Sequence, residues 1–347
     1  MVLLVAATVP PPVPKLRVHF LDIGQGAATL VEFPCGAMLI DTGGEQNSDF
    51  HSTPALVAYL DAFFARRKDL GGKLDVLVLS HPHIDHVRGA PTVLEKYPVG
   101  TIVEDGRIPR QDDAVAAMAR VREYVATHPE VAHLVVRVDD FPSATGALNS
   151  PQLDRFPLCQ DVDPKVVALW GGVGHDRGWG DNDYGNNHFD NDNNHSVVTR
   201  VDFGAASVLF PGDMEVPALR DLVTDRGPLL DVDVLQVAHH GSHNGTTPDL
   251  LRAVTPEIAV MEVGPAARRH SWTAWQYGHP RAALLDLLEA HVTGTRSPIV
   301  VPIGSAMKTF SDQTVDRAIY ATAWDGTVVL EASAAGDFRL GVADVPR

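Results

Sequence analysis

Four side chains that commonly bind metals lie within six consecutive positions, in the stretch HPHIDH of residues 81–86. The stretch follows an apolar run, VLVL, which predicts a buried strand that ends at one rim of a sheet. His81 and His83 can converge on one cation there. Asp85 and His86 can reach a second cation nearby. Solvated loop histidines are the alternative, but ligand types at this density favour a dinuclear site for zinc, manganese or iron.

The elements that must position this stretch alternate between strands and helices. A strand is predicted from the alternating apolar residues of LRVHFLDIG. A hairpin is predicted for TLVEF and AMLID, which flank the turn residues PCG. A helix is expected to begin at Thr53 and Pro54, as its N-cap and first position. The predicted core face of this helix consists of Leu56, Leu60, Phe63 and Phe64.

The second half of the chain repeats this order. We predict a hairpin that turns near residues 202–204, within SVVTRVDFGAASVLFPGD, and a buried strand that runs into His239, within VDVLQVAHHGS. Another capped helix is expected to open at Thr247-Pro248, followed by a strand in EIAVMEV and an amphipathic helix in RAALLDLLEA. A closing hairpin around Asp325-Gly326 is predicted for AIYATAWDGTVVLEA.

Residues 171–195 depart from this regularity, because they are mostly Gly, Asp, Asn and His. We interpret them as a long surface loop, and expect it to overhang the metal site and to restrict substrate size. The acidic runs at 181–183 and 190–192 could offer oxygen ligands to a calcium ion. Their spacing does not fit a twelve-residue calcium loop, so a solvated loop is the favoured interpretation.

The length and composition suit one large α/β unit or two small ones, with 347 residues, 45% hydrophobic and 21% charged. We predict a single domain over residues 15–347 after an extended, proline-stiffened leader over residues 1–14. The leader is too short to span a bilayer, and no other segment approaches the roughly 20 apolar residues required. No membrane association is therefore expected. Because the leader lacks a basic segment, a cleaved export signal is only the alternative.

Cysteine content and charge bear on compartment and partners. The only cysteines are Cys35 and Cys159, too few for a disulfide framework, so a reducing compartment and, by default, the cytoplasm are expected. The net charge of −16 opposes non-specific binding to a polyanion. Any contact with nucleic acid would have to come from a small cluster, such as Arg268, Arg269 and His270. The oligomeric state is not predicted.

The stretch at 81–86 resembles the HxHxDH signature of the metallo-β-lactamase fold. Other pieces follow in the expected order, namely LIDTGG with Asp41, LFPGDME with Asp213, and VAHHGSHNG with His239 and His240. The pieces FLDIGQGAATLVEFPCGAMLIDTGG, NNHSVV, HHGS and YGHPR are similar, more narrowly, to the ComEC branch. Its members are the soluble hydrolase domains of DNA-uptake proteins and stand-alone relatives. The resemblance spans about residues 16–332 and implies an αββα sandwich with a dinuclear metal site at one edge.

The resemblance also implies roles for individual residues. Asp213 takes the position of the aspartate that bridges two metals, and a turn residue is its alternative. Asp41 takes the position of an aspartate that holds a metal-binding histidine in one tautomer. Of the adjacent His239 and His240, we favour His240 as the ligand, because in relatives a ligand histidine is often followed by glycine. His239 would then contact substrate or support a ligand, and the reverse assignment stays open.

Two further histidines are assigned by the same resemblance. His195 is expected to be the third ligand of the first metal, although Asn193 or Asn194 could approach the site in its place. His279 matches another histidine of the branch. With Pro280 in the first turn of the following helix, it would help to hold a phosphate at the helix N-terminus. Simple packing at that helix start is the alternative.

We therefore expect a metal-dependent hydrolase with two divalent ions, zinc or manganese, that supply hydroxide near neutral pH. The residues expected to carry catalysis are Asp85, Asp213, His239 and His279. The resemblance points to phosphodiester substrates, nucleic acid among them. A hydrolase of the same fold for a small ester, lactone, lactam or phosphoester is the alternative, because the chain is acidic and lacks a long basic tract. A non-catalytic subunit that binds metal or nucleic acid is the second alternative.

Overall fold

Two β-sheets lie face to face between two layers of helices in the computed structural model of this chain, which describes residues 15–159, 161–181 and 185–345. The predicted αββα sandwich is thereby confirmed. The predicted leader over residues 1–14 lies outside the described residues. None of the helices within the described ranges combines the length and the apolar character that a membrane span requires.

Eight strands form the first sheet. They are β1 (Lys15–Phe20), β2 (Thr29–Phe33), β3 (Gly36–Ile40), β4 (Leu74–Val78), β5 (Val99–Glu104), β6 (Ala132–Val135), β15 (Val328–Ser333) and β16 (Phe338–Leu340). Their order across the sheet is β16-β15-β1-β2-β3-β4-β5-β6. As predicted, β2 and β3 form a hairpin, and β3 to β6 run parallel.

Six strands form the second sheet. They are β7 (Lys165–Trp170), β8 (Val198–Phe203), β9 (Ala206–Phe210), β10 (Val234–Gln236), β11 (Ile258–Met261) and β14 (Ile319–Ala321). Their order is β14-β11-β10-β9-β8-β7. The predicted hairpin of β8 and β9 is confirmed, and β9, β10, β11 and β14 run parallel.

Nine α-helical segments occur within the described ranges. They are α1 (Ser52–Arg66), α2 (Ile84–Val87), α3 (Ala90–Lys96), α4 (Asp112–Thr127), α5 (Val216–Arg226), α6 (Pro248–Val254), α7 (Ala274–Tyr277), α8 (Ala282–His291) and α9 (Thr322–Asp325). The predicted N-cap of α6 is confirmed, since the Thr247 hydroxyl accepts a hydrogen bond from Leu250 N. The predicted N-cap of α1 is wrong, because this helix already includes Ser52 and Thr53 and its N-cap is His51.

The core follows from the two-residue period of the strands. In β4, Val76 and Val78 pack into the layer between the two sheets, whereas Leu77 packs with α1, α3 and α4 on the outer face. Phe20 and Phe210 meet across the inter-sheet layer with their ring centroids 6.3 Å apart. Full burial of each such ring stabilises the fold by about 1.5–3 kcal/mol.

The predicted closing hairpin around Asp325-Gly326 is wrong. β14 pairs in parallel with β11 of the second sheet, and β15 pairs antiparallel with β1 of the first, so this segment links the two sheets. Asp325 ends the single turn of α9, and its carboxylate binds Arg296 at 2.7 Å. A long hairpin of β12 (Thr295–Ala306) and β13 (Thr309–Arg317) escaped prediction. Two prolines within β12 conceal its strand character in the sequence.

Cys35 and Cys159 form a disulfide, with their Cα atoms 5.3 Å apart. The bond ties the turn between β2 and β3 to the segment that precedes β7. This disulfide argues against the expected reducing compartment, because disulfides persist mainly in oxidising environments.

Candidate active site

The predicted site residues follow the carboxyl ends of strands that lie at one edge of the sandwich. Asp41 follows β3, and the stretch 81–86 follows β4 and leads into α2. Asp213 follows β9, and His240 follows β10. Because β3 and β4 run parallel, as do β9 and β10, the polar residues after each pair emerge side by side. Each sheet thus contributes half of the site.

The structure brings Asp85, His86, Asp213 and His240 into one cluster, in which one ligand atom from each lies within 4.8 Å of all the others. A carboxylate oxygen of Asp213 lies 3.2 Å from the Nε2 atoms of both His86 and His240. The second carboxylate, Asp85, lies 3.5 Å from His240 Nε2. The Nε2 atoms of His86 and His240 are themselves 3.2 Å apart, so the Asp213 oxygen contacts both imidazoles at once. Its role as a bridging carboxylate stays a prediction.

The other two histidines of the HPHIDH stretch lie beside this cluster. His81 and His86 have their ring centroids 4.1 Å apart, and His81 Nε2 lies 3.1 Å from His83 Nδ1. His81 is buried, whereas His83 is partly exposed and lines the adjoining cavity. The stretch therefore places four potential ligands close together, and of these His83 and Asp85 are partly exposed. Their individual roles as metal ligands stay predictions.

Asp41 fixes the orientation of His86 from behind. Its carboxylate accepts hydrogen bonds from Ser80 N and Ser80 Oγ, both at 2.7 Å, and lies 2.8 Å from His86 Nδ1. If His86 Nδ1 carries the proton and donates it to Asp41, its Nε2 is left with a lone pair that faces the cluster. This arrangement matches the role expected for Asp41.

Gly43, two positions after Asp41, is required by close packing against the histidine stretch. A Cβ atom at Gly43 would lie only 1.6 Å from the carbonyl oxygen of Asp85. No side chain can fit there without moving the ligand loop. The LIDTGG piece therefore serves both to hold His86 and to let the ligand loop approach.

His239 and His240 differ in burial and in their distance from the cluster, as expected if only one of them is a ligand. His240 is buried, and its Nδ1 lies 2.8 Å from the carbonyl oxygen of Glu262, which leaves Nε2 for the cluster. His239 is more exposed, and its Nε2 lies 3.9 Å from the nearest Asp213 oxygen. Both residues have a left-handed backbone with φ of 53°, a conformation that costs about 1–3 kcal/mol each and that is concentrated at functional sites.

Electrostatics hold positive charge at the cluster. Burial is the largest single influence on His86 and His240 and would lower their pKa values. The nearby carboxylates together outweigh it, namely Asp213 with Asp41 for His86 and Asp213 with Asp85 for His240. The pKa of His86 lies well above its ordinary value, and that of His240 is raised to about 10. In return, these imidazoles keep the pKa of Asp213 well below its usual range although burial opposes this. The buried carboxylates therefore require cations, either protons on the histidines or metals in their place.

The donor set of the cluster fits divalent metals. Two imidazole nitrogens and two carboxylate oxygens within 4.8 Å suit zinc, manganese or iron, and His81 and His83 supply further nitrogens. The Nδ1 atoms of His86 and His240 both have an oxygen partner, so each Nε2 is oriented toward the cluster. Such second partners are typical of metal-binding histidines.

A cavity of about 820 Å³ opens beside the cluster. Its wall includes Asp85, Asp213 and His240. Toward solvent it is lined by residues of mixed charge and by two aromatic rings, among them Arg88, Arg110, Asp112, Trp272 and Tyr277. The volume is ample for a substrate of the size of a dinucleotide or a small drug.

His195 is not brought to the cluster. Its Nδ1 accepts a hydrogen bond from Val173 N at 3.0 Å, and its Nε2 lies 2.8 Å from the carbonyl oxygen of Phe189. With both ring nitrogens bound to backbone, the geometry does not support its predicted role as a ligand. The alternative from the same motif fits better, because Asn193 lines the cavity and donates to Glu215 at 2.9 Å.

His279 lines the cavity, but not in the way the sequence suggested. The helix α8 begins at Ala282 with Arg281 as its N-cap, so the prediction that Pro280 lies in its first turn is wrong. A contact of His279 with phosphate stays a prediction. Gln25 Nε2 lies 3.5 Å from His279 Nδ1, and the rings of His279 and His239 are 6.1 Å apart. His279 therefore lies on the cavity wall close to the cluster, with Gln25 and His239 as its neighbours.

Several cavity residues escaped the sequence analysis. Gln25 stands inside FLDIGQG, a piece that resembles the family, yet no role was assigned to it. The same holds for Glu215 in FPGDME, which accepts a hydrogen bond from the cavity residue Asn193 without lining the cavity itself. Arg88 follows the histidine stretch by two positions, and its Nε donates to the carbonyl of Gly44 at 3.0 Å. Tyr277 opens the YGHPR piece, again without an assigned role, and Trp272 lies in no piece that resembles the family. Their place on the cavity wall follows only from the folded chain.

The loop over residues 171–195 is anchored beside the site in its described parts. Trp179 Nε1 donates to Asp221 of α5 at 2.8 Å, and Arg177 pairs with Asp225 at 3.2 Å. Of the described residues in this loop, Asn193 alone lines the cavity. Residues 182–184, which include part of the proposed calcium site, lie outside the described residues. A lid over the cavity therefore stays a prediction.

Comparison with known proteins agrees with the architecture. The family model of the metallo-beta-lactamase superfamily matches residues 21–263 of the chain. Recombination protein 2 of Haemophilus influenzae is 27% identical over 266 residues, which cover 77% of this chain and 26% of that protein. ComE operon protein 3 of Bacillus subtilis is 25% identical over 289 residues, which cover 79% of this chain and 31% of that protein. The chain thus spans about a third or less of the length of these relatives.

Among solved structures, the short form of human tRNase Z is similar over 70% of this chain and 91% of its own. The TM-score is 0.39 and the sequence identity is 15%.

Proposed function

Since this chain belongs to the metallo-beta-lactamase superfamily, we propose that it is a metal-dependent phosphodiesterase that cleaves nucleic acid. The observation that carries the proposal is the cluster of Asp85, His86, Asp213 and His240, whose ligand atoms lie within 4.8 Å at the wall of a large cavity. The family supplies the general class of metal-dependent hydrolase. The phosphodiester substrate is the part that needs the arguments below.

The residues of the cluster, with His81 and His83, would hold two divalent cations. When bound, the two cations lower the pKa of a shared water, so that hydroxide is available near neutral pH, and they screen the charge of a phosphodiester. Asp213 would contribute a carboxylate ligand to this site. Asp41 holds His86 in the tautomer whose Nε2 can accept a cation.

His279 would position the substrate. Burial, followed by the neighbouring His239 and His240, lowers the pKa of His279 well below its ordinary value, so its ring stays neutral near pH 7. If Gln25 donates to Nδ1, the proton of the ring is carried on Nε2. A neutral N–H can donate to a phosphate oxygen without competing with the metals for negative charge.

Two considerations support a phosphodiester over an ester or a lactam. A pair of cations a few ångströms apart can stabilise both the attacking and the leaving oxygens of a phosphoryl centre, a use found in many nucleases and phosphatases. The curated proteins that the chain resembles include one named for recombination, which acts on DNA, and one named a competence protein. The acidic surface, with a net charge of −16, keeps a small neutral substrate as the rival.

A substrate panel separates these functions. The protein would be assayed with bis(p-nitrophenyl) phosphate, single-stranded DNA and nitrocefin, each with zinc and with manganese. We expect hydrolysis of both phosphodiesters, no turnover of nitrocefin, and loss of both activities in Asp213→Ala, which controls for contaminating nucleases. Turnover of nitrocefin alone would favour the rival hydrolase. Binding of metal and DNA without any turnover would favour a non-catalytic subunit.

The sequence and the disulfide lead to different predictions of the compartment in which the protein works. The sequence favours the cytoplasm, whereas the Cys35–Cys159 disulfide favours an oxidising compartment. Thiol titration of protein isolated from its native cells under trapping conditions decides between them. Two free thiols per chain would favour the cytoplasm, and none would favour export.

A further inference from the structure

Trp272 lies at the mouth of the cavity, with an exposed side chain and a strained backbone. It is 67% exposed and lines the same cavity as the metal cluster. By burial over residues 15–159, 161–181 and 185–345, it is the one exposed aromatic side chain. Its backbone is left-handed, with φ of 61°, which is strained for a bulky residue.

The backbone around Trp272 is held in place by neighbouring polar groups. Trp272 N donates to Gln276 Oε1 at 2.8 Å. The buried Thr273 hydroxyl lies 2.9 Å from the carbonyl of Arg268 and 2.8 Å from that of His270. The indole is therefore presented to solvent by a fixed loop.

A series of rings leads from Trp272 to the metal cluster. Trp272 and Tyr277 have ring centroids 6.3 Å apart, and Tyr277 stacks on His279 at 5.5 Å. His279 in turn faces His239, which lies beside Asp213. A substrate that stacks an aromatic group on Trp272 would thus occupy the same cavity as a phosphate at the cluster.

The basic cluster that the sequence singled out contributes a single available cation beside this ring. Arg268 pairs with Glu45 and lies over the Phe50 ring, 4.0 Å from its centroid. His270 pairs with Asp49 at 2.8 Å. Arg269 is exposed and forms no ion pair with any described residue. A charge available for a backbone phosphate thus stands three positions before an exposed indole.

We propose that Trp272 is a positioning residue that stacks on a nucleobase of a single-stranded nucleic acid and so places the neighbouring phosphodiester at the metal cluster. The proposal rests on the proposed phosphodiesterase function and names the group that recognises its substrate. Stacking is tolerant of sequence, because every base has an aromatic face. It also suits an acidic protein, since the affinity comes from the bases more than from a basic track.

The test compares strands that differ only in their bases. Steady-state kinetics would be measured for wild type, Trp272→Ala and Trp272→Phe with an oligo(dT) strand, an oligo(U) strand and a DNA strand of equal length made of abasic tetrahydrofuran units. Leu158→Ala is the matched control, because Leu158 is 64% exposed and does not line the cavity. Loss of one stacked base corresponds to roughly a tenfold or greater loss of affinity.

We expect Trp272→Ala to raise KM for oligo(dT) by about tenfold with little change in kcat, and to leave the abasic strand unaffected. Trp272→Phe should restore most of the affinity, and Leu158→Ala should behave as wild type. A similar effect on oligo(U) would extend the site to RNA, and an effect on one strand only would identify the nucleic acid. Unchanged KM in Trp272→Ala, or an equal loss on the abasic strand, would overturn the proposal.

Two further outcomes separate this proposal from its premise and from a rival. If the wild type cleaves none of the strands, the nuclease function fails, and fluorescence anisotropy of the labelled strands with the protein as purified still decides whether Trp272 binds bases. Equal binding of oligo(dT) and the abasic strand would then refute stacking. Sedimentation of wild type and Trp272→Ala tests a contact with a second copy of the chain. A dimer that the substitution dissolves, with unchanged binding of the strands, would assign Trp272 to that contact and overturn the proposal.

Discussion

Asp41→Asn should weaken metal binding although it preserves the size of the side chain. Asp41 is buried and its carboxylate lies 2.8 Å from His86 Nδ1 and 2.7 Å from Ser80 N and Oγ. An asparagine can still accept from Ser80 N with its carbonyl oxygen. Its amide group then faces His86 Nδ1 as a donor. His86 would be driven to carry its proton on Nε2, the atom that faces Asp213 at 3.2 Å.

The magnitude follows from this change of tautomer. Loss of a partner that orients a metal-binding histidine typically costs about 10- to 100-fold in metal affinity or activity. This corresponds to about 1.4–2.8 kcal/mol of binding free energy. Replacement of a charged acceptor also weakens the bonds to Ser80, so some loss of fold stability should accompany it.

Thr42→Val is the matched control for the fold. Thr42 is buried next to Asp41, and its hydroxyl donates to the carbonyl oxygen of His86 at 3.2 Å without touching the imidazole. The substitution should cost about 1 kcal/mol of stability and leave metal affinity nearly unchanged. Competition with a chromophoric chelator measures the affinity, and thermal unfolding measures the stability. Metal affinity of Asp41→Asn equal to that of Thr42→Val would refute the tautomer argument.

Four further predictions concern the cluster itself. Asp213→Ala should abolish phosphodiester hydrolysis while the circular dichroism spectrum is retained, and near-normal turnover with both metals bound would exclude a bridging role. His240→Ala should lower the metal content measured by mass spectrometry. His239→Ala should keep its metal and lose about a hundredfold or more in rate if His239 takes part in proton transfer. The opposite pattern would exchange the roles of the two residues. Metal affinity should rise with pH, because the pKa values of His86 and His240 are raised in the metal-free protein and a cation must displace their protons, by about tenfold per pH unit for each proton. For His240 the sign for the metal-free fold is the reverse, since a pKa raised to about 10 gives stability that is complete below pH 6.5 and is lost as the pH approaches 10. Calorimetric titration and thermal unfolding across this range check both signs.

The first half of the fold and the metal cluster were within reach of the sequence because their signals are local. The HPHIDH stretch directly follows a strand, and β2 and β3 are joined by a turn of two residues. The core face of α1 was read from its period, although its first residue was not. Where both the ligand chemistry and the strand that presents it are contiguous in sequence, a pattern is sufficient.

The remainder depends on contacts between distant segments. The residues around Asp325 have the composition of a two-residue turn, yet a salt bridge to Arg296 holds Asp325 at the end of a helical turn and the flanking strands enter different sheets. His195 carries the residue type of a ligand, but its two ring nitrogens are taken by the backbone of Val173 and Phe189. Neither partner could be identified without the folded chain.

The cavity wall shows the same limit of the sequence analysis, here for residues whose importance it did not reveal. Trp272 gains significance only because the folded chain places it on the wall of the cavity that adjoins the cluster. Arg269 stands out only because its neighbours Arg268 and His270 are paired with acidic side chains. Their sequence alone shows a basic cluster and an aromatic residue. The distinction between a paired and an available cation is tertiary.

The most direct test of the central claim is a metal titration of activity. Metal-stripped protein would receive increasing amounts of zinc or manganese, and the initial rate of bis(p-nitrophenyl) phosphate hydrolysis would be followed. A cluster built on Asp213 with two cations predicts no rate without metal and a plateau near two equivalents per chain. Hydrolysis by the stripped protein, or the same titration curve in Asp213→Ala, would contradict it.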